Sequence, residues 1–421
     1  MPISLMIAAM SIFEIIGVLA TSVAFFGYVN HRFIKLPDTV GITMMAVVFA
    51  LLIALAGPQL PGLVAWTHRF ADTLDMYELV FHALLPVLLF AGSMHISIGD
   101  LRRQQVPVGV LSTIGLLISI AIVGYGCWWA LGLLGQPVPL NYCLLFAALI
   151  SPTDPIAVLG MLKTAGAPRD LEVNIAGESL FNDGTAVVAY VVLLGLVTGT
   201  AEPTAPAVAW QLAQEVLGAV VVGALVAGLG VWMLKDVESQ AVEIVITLAM
   251  ATAGYSLAES VHASGPLCSV VMGLIVGNQV SRRGSCENAG STLMSFWEML
   301  DELGNLLLFG LIGLKLITPQ GNSHWLAALL LLPVVLLARW ASIALPVAAM
   351  RPWWPQARHT IFLMSWGGLR GGIPVALALS LPAFEGRDTF VAATFVVVLF
   401  SLLVQAPTLG PIMRRLRIGQ R

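Results

Sequence analysis

The sequence predicts an all-α polytopic membrane protein with thirteen transmembrane helices. Three observations predict it. Of 421 residues, 58% are hydrophobic and only 10% are charged, whereas a soluble domain carries about a quarter charged residues. Thirteen apolar stretches are long enough to cross a hydrocarbon core about 30 Å thick. The basic residues gather on one side of the alternation that those stretches impose.

The stretches run near 8–30, 37–57, 76–97, 106–135, 139–163, 172–199, 206–234, 241–259, 264–279, 292–318, 324–349, 358–381 and 388–413. The first is the weakest, because it contains Glu14, and the ninth is short. Positive charge punctuates every second turn. Arg32 and Lys35 follow the first stretch, Arg102 and Arg103 the third, Lys163 and Arg169 the fifth, and Lys235 the seventh. Arg282 and Arg283 follow the ninth, Arg351 and Arg358 the eleventh, and the tail residues Arg414, Arg415, Arg417 and Arg421 the thirteenth. With the N-terminus outside, these fifteen of the 20 basic residues are cytoplasmic. Arg69, Lys315 and Arg387 are external, while Arg339 and Arg370 fall inside spans. One missed helix would scramble this pattern, so the bias predicts an odd number of spans, N-terminus out and C-terminus in. The expected location is a prokaryotic cell (inner) membrane. The first basic residue is Arg32, so no cleavable signal peptide is expected. Of the four cysteines, Cys127, Cys143 and Cys268 read as small apolar core residues and Cys286 as a loop thiol, with no disulfide or zinc framework.

Two stretches are interrupted alike. The fifth breaks at Ser151-Pro152-Thr153-Asp154-Pro155, and the twelfth at Gly367-Gly368-Leu369-Arg370-Gly371-Gly372-Ile373-Pro374. They lie seven spans apart, which means opposite orientation. Helices 1–6 (residues 1–203) and helices 8–13 (residues 239–421) therefore read as inverted repeats, joined by helix 7 (residues 204–238). Matching interruptions in two halves point to a transporter site at the midplane.

The polar residues inside spans are the candidates for chemistry. A carboxylate at bilayer depth costs several kcal/mol, so it is rarely there without a role. Asp154 lies between Pro152 and Pro155, neither of which donates a backbone hydrogen bond. The carbonyls so freed, with the hydroxyl of Thr153, are natural ligands for a small cation. Asp154 equally suits the cap of the second half-helix. On the sixth stretch, Ser179 and Asp183 are four residues apart and share one face, while Glu178 and Asn182 share the adjacent one. Glu178 and Asp183 are about 140° apart around the helix and need different partners. Arg339 sits about 16 Å from the end of the eleventh helix, too deep to reach the interface. It needs a buried counter-charge, and Glu178 remains once Asp154 and Asp183 are assigned to ions. Arg370, within the twelfth-helix break, either offsets half-helix C-terminal dipoles or balances Asp154. Glu298, Asp301 and Glu302 read as a solvated face more readily than as the rim of an ion funnel. His82, His95 and His359 read either as pH sensors or, as a single His at a helix end more usually is, as polar tips at the interface.

S-P-T-D-P at 151–155, G-E-S-L-F-N-D-G at 177–184 and W-G-G-L-R-G-G at 366–372 together resemble the monovalent cation:proton antiporters, the group of sodium–proton exchangers and NhaP-like proteins. The resemblance covers essentially the whole chain. It implies that Asp183 is the shared cation and proton site, with Asp154, Thr153 and Ser179 helping to coordinate Na+. It implies that Asn182 holds the site's shape and that a Glu178–Arg339 ion pair braces helices 6 and 11. It also implies a homodimer, in which a core domain (helices 4–6 and 11–13) moves past a scaffold made of the rest. The Asn-Asp pair at 182–183 places the chain in the branch expected to be electroneutral.

The expected function is exchange of Na+ (or Li+) for H+ by competition at Asp183 with elevator-like alternating access. The alternatives are a K+/H+ antiporter of the same fold and a gated cation channel. An intramembrane aspartyl protease built on Asp154 and Asp183 fits less well, because a Pro-flanked break suits ion coordination better and Arg370 is out of place beside such a pair. No nucleotide loop, H-E-x-x-H or Ser/His/Asp arrangement appears. The chain is thus expected to be no enzyme, to need no cofactor beyond the transported ions, and to bind membrane lipids but no nucleic acid.

Overall fold

The structure, a computed structural model, describes residues 12–36, 38–56, 62, 77–199, 204–237, 239–283, 289–315, 324–354 and 359–416. The start of the first predicted stretch lies outside them, as do Arg69, Cys286, Arg358, Arg417 and Arg421. Helix dominates the described residues, and an isolated antiparallel bridge joins Asp154 to Leu369.

The first half runs as follows. α1 (Ile12–Val29) passes into a π-helical turn, Asn30–Ile34, and α2 (Asp38–Ala56) follows. The corner between them is held by Asn30, whose amide donates to the Leu36 carbonyl at 2.9 Å and whose Oδ1 accepts the Leu36 N–H at 3.2 Å. A π-helical turn, Glu78–Leu84, leads into α3 (Leu85–Met94), followed by the short α4 (Ile98–Arg103). α5 (Gln105–Val110) continues through a π-helical turn into α6 (Leu116–Leu133). α7 (Leu140–Leu149) and α8 (Ile156–Ala165) are the halves of the fifth stretch, and α9 (Arg169–Thr198) is the sixth.

The second half begins with α10 (Ala205–Leu234), α11 (Gln240–Ser260), α12 (Gly265–Arg283), α13 (Ala289–Lys315) and α14 (His324–Met350). α15 (Thr360–Trp366) and α16 (Gly372–Leu379) are the halves of the twelfth stretch. α17 (Arg387–Phe400) continues through a π-helical turn into α18 (Ala406–Arg415). Six helical segments among the described residues are long and apolar enough to cross a membrane: 105–133, 169–198, 206–234, 240–260, 324–350 and 387–415.

The buried apolar side chains of the described residues form four clusters, two of them large. One cluster joins α3, α10, α11, α12 and α13 through Phe90, Met94, Ala227, Met250, Met272 and Trp297. Another draws α6, α7, α9, α14, α16 and α17 around Cys127, Phe146, Tyr190, Val335, Val375 and Phe390, and reaches into α3 (Leu85, Leu89), α12 (Val270, Leu274) and α13 (Leu308, Phe309). Cys127, Cys143 and Cys268 are buried free thiols in these clusters, as small apolar fillers.

Candidate ion-binding site

Prolines end α7 and glycines end α15, and the two interruptions lie against each other. The Asp154 N–H donates to the Leu369 carbonyl at 2.8 Å, tying one extended segment to the other. This arrangement brings four half-helix ends to one place, two negative C-termini and two positive N-termini. Each C-terminus meets a buried guanidinium. Arg370 donates to the carbonyls of Ser151 and Pro152, just past the end of α7, the latter at 3.1 Å. Arg339 donates to the Met364 carbonyl in the last turn of α15 at 3.1 Å. At the N-termini the charge is reversed: Asp154 precedes α8 and its carboxylate lies beside Gly371, at the start of α16. Of the two roles read for Arg370 from the sequence, the geometry favours the half-helix dipole.

α9 supplies the other wall. The Asp183 Oδ1 accepts the Thr153 N–H at 2.9 Å. The Ser179 hydroxyl donates to the Thr153 carbonyl at 2.6 Å, and its Oγ lies 2.7 Å from the Thr153 Oγ1. The Asn182 amide donates to the Ser151 carbonyl at 2.8 Å, with Thr153 Oγ1 at 3.4 Å. Asn182 therefore turns towards the Ser179 side of the helix rather than sharing the direction of Glu178. Asp183 is 7% exposed, and Thr153, Ser179 and Asn182 are buried. Asp154 is half-buried.

Glu178 faces away from this group, to Arg339. Nη1 donates to Oε1 at 2.7 Å and Nη2 to Oε2 at 3.0 Å, a two-pronged contact that satisfies both carboxylate oxygens. Gly368 lies directly under the guanidinium, where any side chain would collide with Arg339 Nε.

A cavity of about 440 Å³ reaches the site. Thr153, Asp154, Asp183 and residues 371–374 line it, and Arg169, Glu172, His95 and Ser97 line it towards the end of the bundle that carries Arg102 and Arg103. The facing wall is α13, with Glu298, Asp301, Glu302 and Asn305. The Asn305 amide donates to the Asp301 carboxylate at 3.2 Å and to its carbonyl at 2.8 Å. These acids are not simply a solvated face. Positions 298, 301, 302 and 305 repeat at helical spacing, and that stripe was the available signal. His82 is also more than a polar tip: Nδ1 lies 2.9 Å from Glu78 and Nε2 lies 3.4 Å from Glu259.

The donors at the floor are carboxylates, hydroxyls and backbone carbonyls. Such hard oxygen ligands at a broken helix suit a small monovalent cation. Among the described residues, no group of three or more His, Cys, Asp or Glu is arranged to hold a metal ion.

A family model described as sodium/hydrogen exchanger, transmembrane, matches residues 20–415. The chain belongs to this family. The exchanger is 42% identical over 400 residues to the Na(+)/H(+) antiporter NhaP of Pseudomonas aeruginosa, covering 93% of this chain and 94% of the relative. It is 33% identical to the Na(+)/H(+) antiporter NhaG of Bacillus atrophaeus, covering 80% of this chain and 63% of that one. Its fold is similar to that of the sodium proton antiporter MjNhaP1 from Methanocaldococcus jannaschii, with a TM-score of 0.75, 21% identity, and 97% and 100% of the two chains covered. The exchanger is thus an integral membrane protein of the monovalent cation:proton antiporters, a family of transporters and not of enzymes.

Proposed function

We propose that the protein exchanges Na+ (or Li+) for H+, one for one, by competition at Asp183. The observation that carries this reading is a buried carboxylate at the floor of an open cavity, held by the Thr153 N–H of a broken helix. The printed names of the relatives from Pseudomonas aeruginosa and Bacillus atrophaeus, both Na(+)/H(+) antiporters, support it.

The mechanism follows from charge. Around the break sit three carboxylates (Asp154, Glu178, Asp183) and two guanidiniums (Arg339, Arg370), leaving one negative charge in excess. A single proton or a single monovalent cation closes that deficit. With the deficit open, moving the group across the membrane carries a bare carboxylate into low dielectric, which is strongly unfavourable. Only loaded states cross, so transport is obligate exchange. When the cation is bound, Asp183, Asp154, Thr153 and Ser179 supply its oxygen ligands, and Asn182 holds the Ser151 carbonyl in place. Arg339 satisfies both oxygens of Glu178, so this carboxylate belongs to the brace and not to the transported ions. Arg370 holds the α7 end closed against the break.

The same reading covers the architecture. It has thirteen crossings, two inverted repeats and two half-helix pairs crossing at the midplane. The core of helices 4–6 and 11–13 moves in an elevator-like way past a scaffold of the rest. The cavity faces the cytoplasmic end of the charge pattern, so the state is inward-facing. The lipid-exposed face of α10, with Trp210, Leu217, Val221, Leu225 and Trp232 uncovered, supports a homodimer seated there. The test is purified protein in proteoliposomes with an imposed pH gradient. Sodium or lithium added outside is expected to dissipate the gradient and potassium is not. Dissipation by potassium alone moves the reading to K+/H+ exchange. Cation flux with no proton movement makes it a channel.

A further inference from the structure

We infer that Asn278 is a positioning residue for exchange: it pins the corner at which the chain passes from the fixed unit to the moving one. The inference rests on the proposed movement of the α9 unit against the α3–α12 unit, and it adds to that reading the pivot about which the movement turns.

α3 and α12 have no freedom to slide past each other. Gly273 faces the Phe90 carbonyl and the Ser93 hydroxyl, and Gly277 faces the Met94 carbonyl, so closely that a side chain at either position would collide. Backbones in such contact behave as one rigid body. The chain is therefore bound to α12 as far as Met94, the last residue of α3.

Four residues later it is bound to the site helix instead. α4 starts at Ile98, and Leu101 packs beside Gly177 on α9, one residue before Glu178. The Asp100 carboxylate accepts from Arg169 Nε and Nη2, each at 3.4 Å, and Arg169 opens α9. The change of allegiance falls on His95, Ile96 and Ser97. His95, Ile96 and Ser97 also line the cavity mouth.

One side chain holds this corner. Asn278, on α12, accepts the Ile98 N–H with Oδ1 at 2.7 Å and donates through Nδ2 to the Ile96 carbonyl at 2.8 Å. Its Nδ2 also donates to the Leu274 carbonyl at 2.9 Å, which fixes the amide's orientation. The end of α3 and the start of α4 would otherwise leave these backbone groups without helical partners. The amide presents an acceptor and a donor on adjacent atoms, which matches the N–H and the carbonyl it serves. α4 and what it carries can then rotate about a point nailed to the scaffold. With the point released, the corner frays and the core has no fixed axis. A plain structural cap would show itself only as stability, and a pivot as turnover.

The experiment compares full-length Asn278→Ala, Asn278→Asp and Val276→Ala with the wild type. Val276 is fully buried in the α12 cluster, so Val276→Ala lowers stability without touching the corner. Sodium-dependent shifts of the unfolding temperature report binding, and proteoliposome exchange gives the maximal rate and the half-saturating sodium. Asn278→Ala is expected to cut the maximal rate about tenfold, with half-saturating sodium unchanged, as for loss of a conformational step. Asn278→Asp keeps the acceptor and loses the donor, and its rate is expected to fall between the two. Val276→Ala, at a comparable loss of unfolding temperature, is expected to keep its rate. Equal slowing by Val276→Ala, or an unchanged rate in Asn278→Ala, overturns the inference while leaving sodium–proton exchange intact. If Asn278→Ala yields no folded protein, Asn278→Asp decides, and a wild-type rate in it overturns the inference. Wild-type protein with no sodium-coupled proton movement sinks the functional reading, and the pivot with it.

Discussion

α9 carries two buried carboxylates five residues apart, and they have opposite fates. Glu178 is gripped on both oxygens by Arg339, with Gly368 making room for the guanidinium. Asp183 has a single backbone N–H from Thr153 and otherwise faces the cavity. The same helix thus holds one carboxylate whose charge is answered within the protein and one that opens on the cavity, which the proposed exchange loads with a proton or a cation. What distinguishes them is the geometry of their partners, not their depth or chemistry. A paired buried charge acts as a brace, and a buried charge beside water acts as a switch.

The largest effect expected from breaking this contrast falls on the switch. Asp183→Asn keeps size and an acceptor but can neither take a proton nor neutralise a cation. Exchange in proteoliposomes should vanish while the purified protein keeps its gel-filtration profile and unfolding temperature. A folded Asp183→Asn protein with wild-type exchange would remove the distinction between the two acids.

Next comes the brace. Glu178→Gln and Arg339→Gln each strand a buried charge, and each should lose about 3–5 kcal/mol of stability. Glu178→Gln with Arg339→Gln should recover part of that loss. Thermal unfolding of the four proteins closes the cycle, and simple additivity would mean that the two side chains do not act as a pair.

The smallest effect concerns the wall opposite the switch. Asp301, held by Asn305, lines the cavity opposite the break, and its ionised form adds negative potential there. Asp301→Asn should raise half-saturating sodium about two- to fivefold at low ionic strength and far less in concentrated choline chloride, as screening requires. A change that ignores salt would tie Asp301 to packing instead.

These residues were not equally legible in the sequence. Asp154, Glu178, Asp183, Arg339 and Arg370 announce themselves because a charge inside an apolar span has few explanations. The pairing of Glu178 with Arg339 followed from the scarcity of other partners. The helical stretches and their two interruptions were readable from hydropathy, proline and glycine. Asp301 was legible only as one of two alternatives and Asn305 not at all, because α13 begins among polar residues, where an acidic stripe and a solvated face look alike. The Glu259 partner of His82 was not legible for a related reason: it is 177 residues away, and such tertiary partners leave no local trace. Nor does sequence spacing say which carbonyls Arg370 binds, since that depends on how the two breaks lie against each other.

The central claim is that Asp183 alone changes its load during the cycle, so that one proton moves against one cation. Clamping the membrane potential with potassium and valinomycin, while sodium gradients are set against a fixed pH gradient, tests it directly. The net charge carried is the same in both loaded states, and a membrane potential has no net charge to act on. The balance point is expected to stay where the pH gradient puts it at every imposed voltage. A balance point that moves with voltage would mean a second charge crossing with the first, and Asp154 would be the carboxylate supplying it.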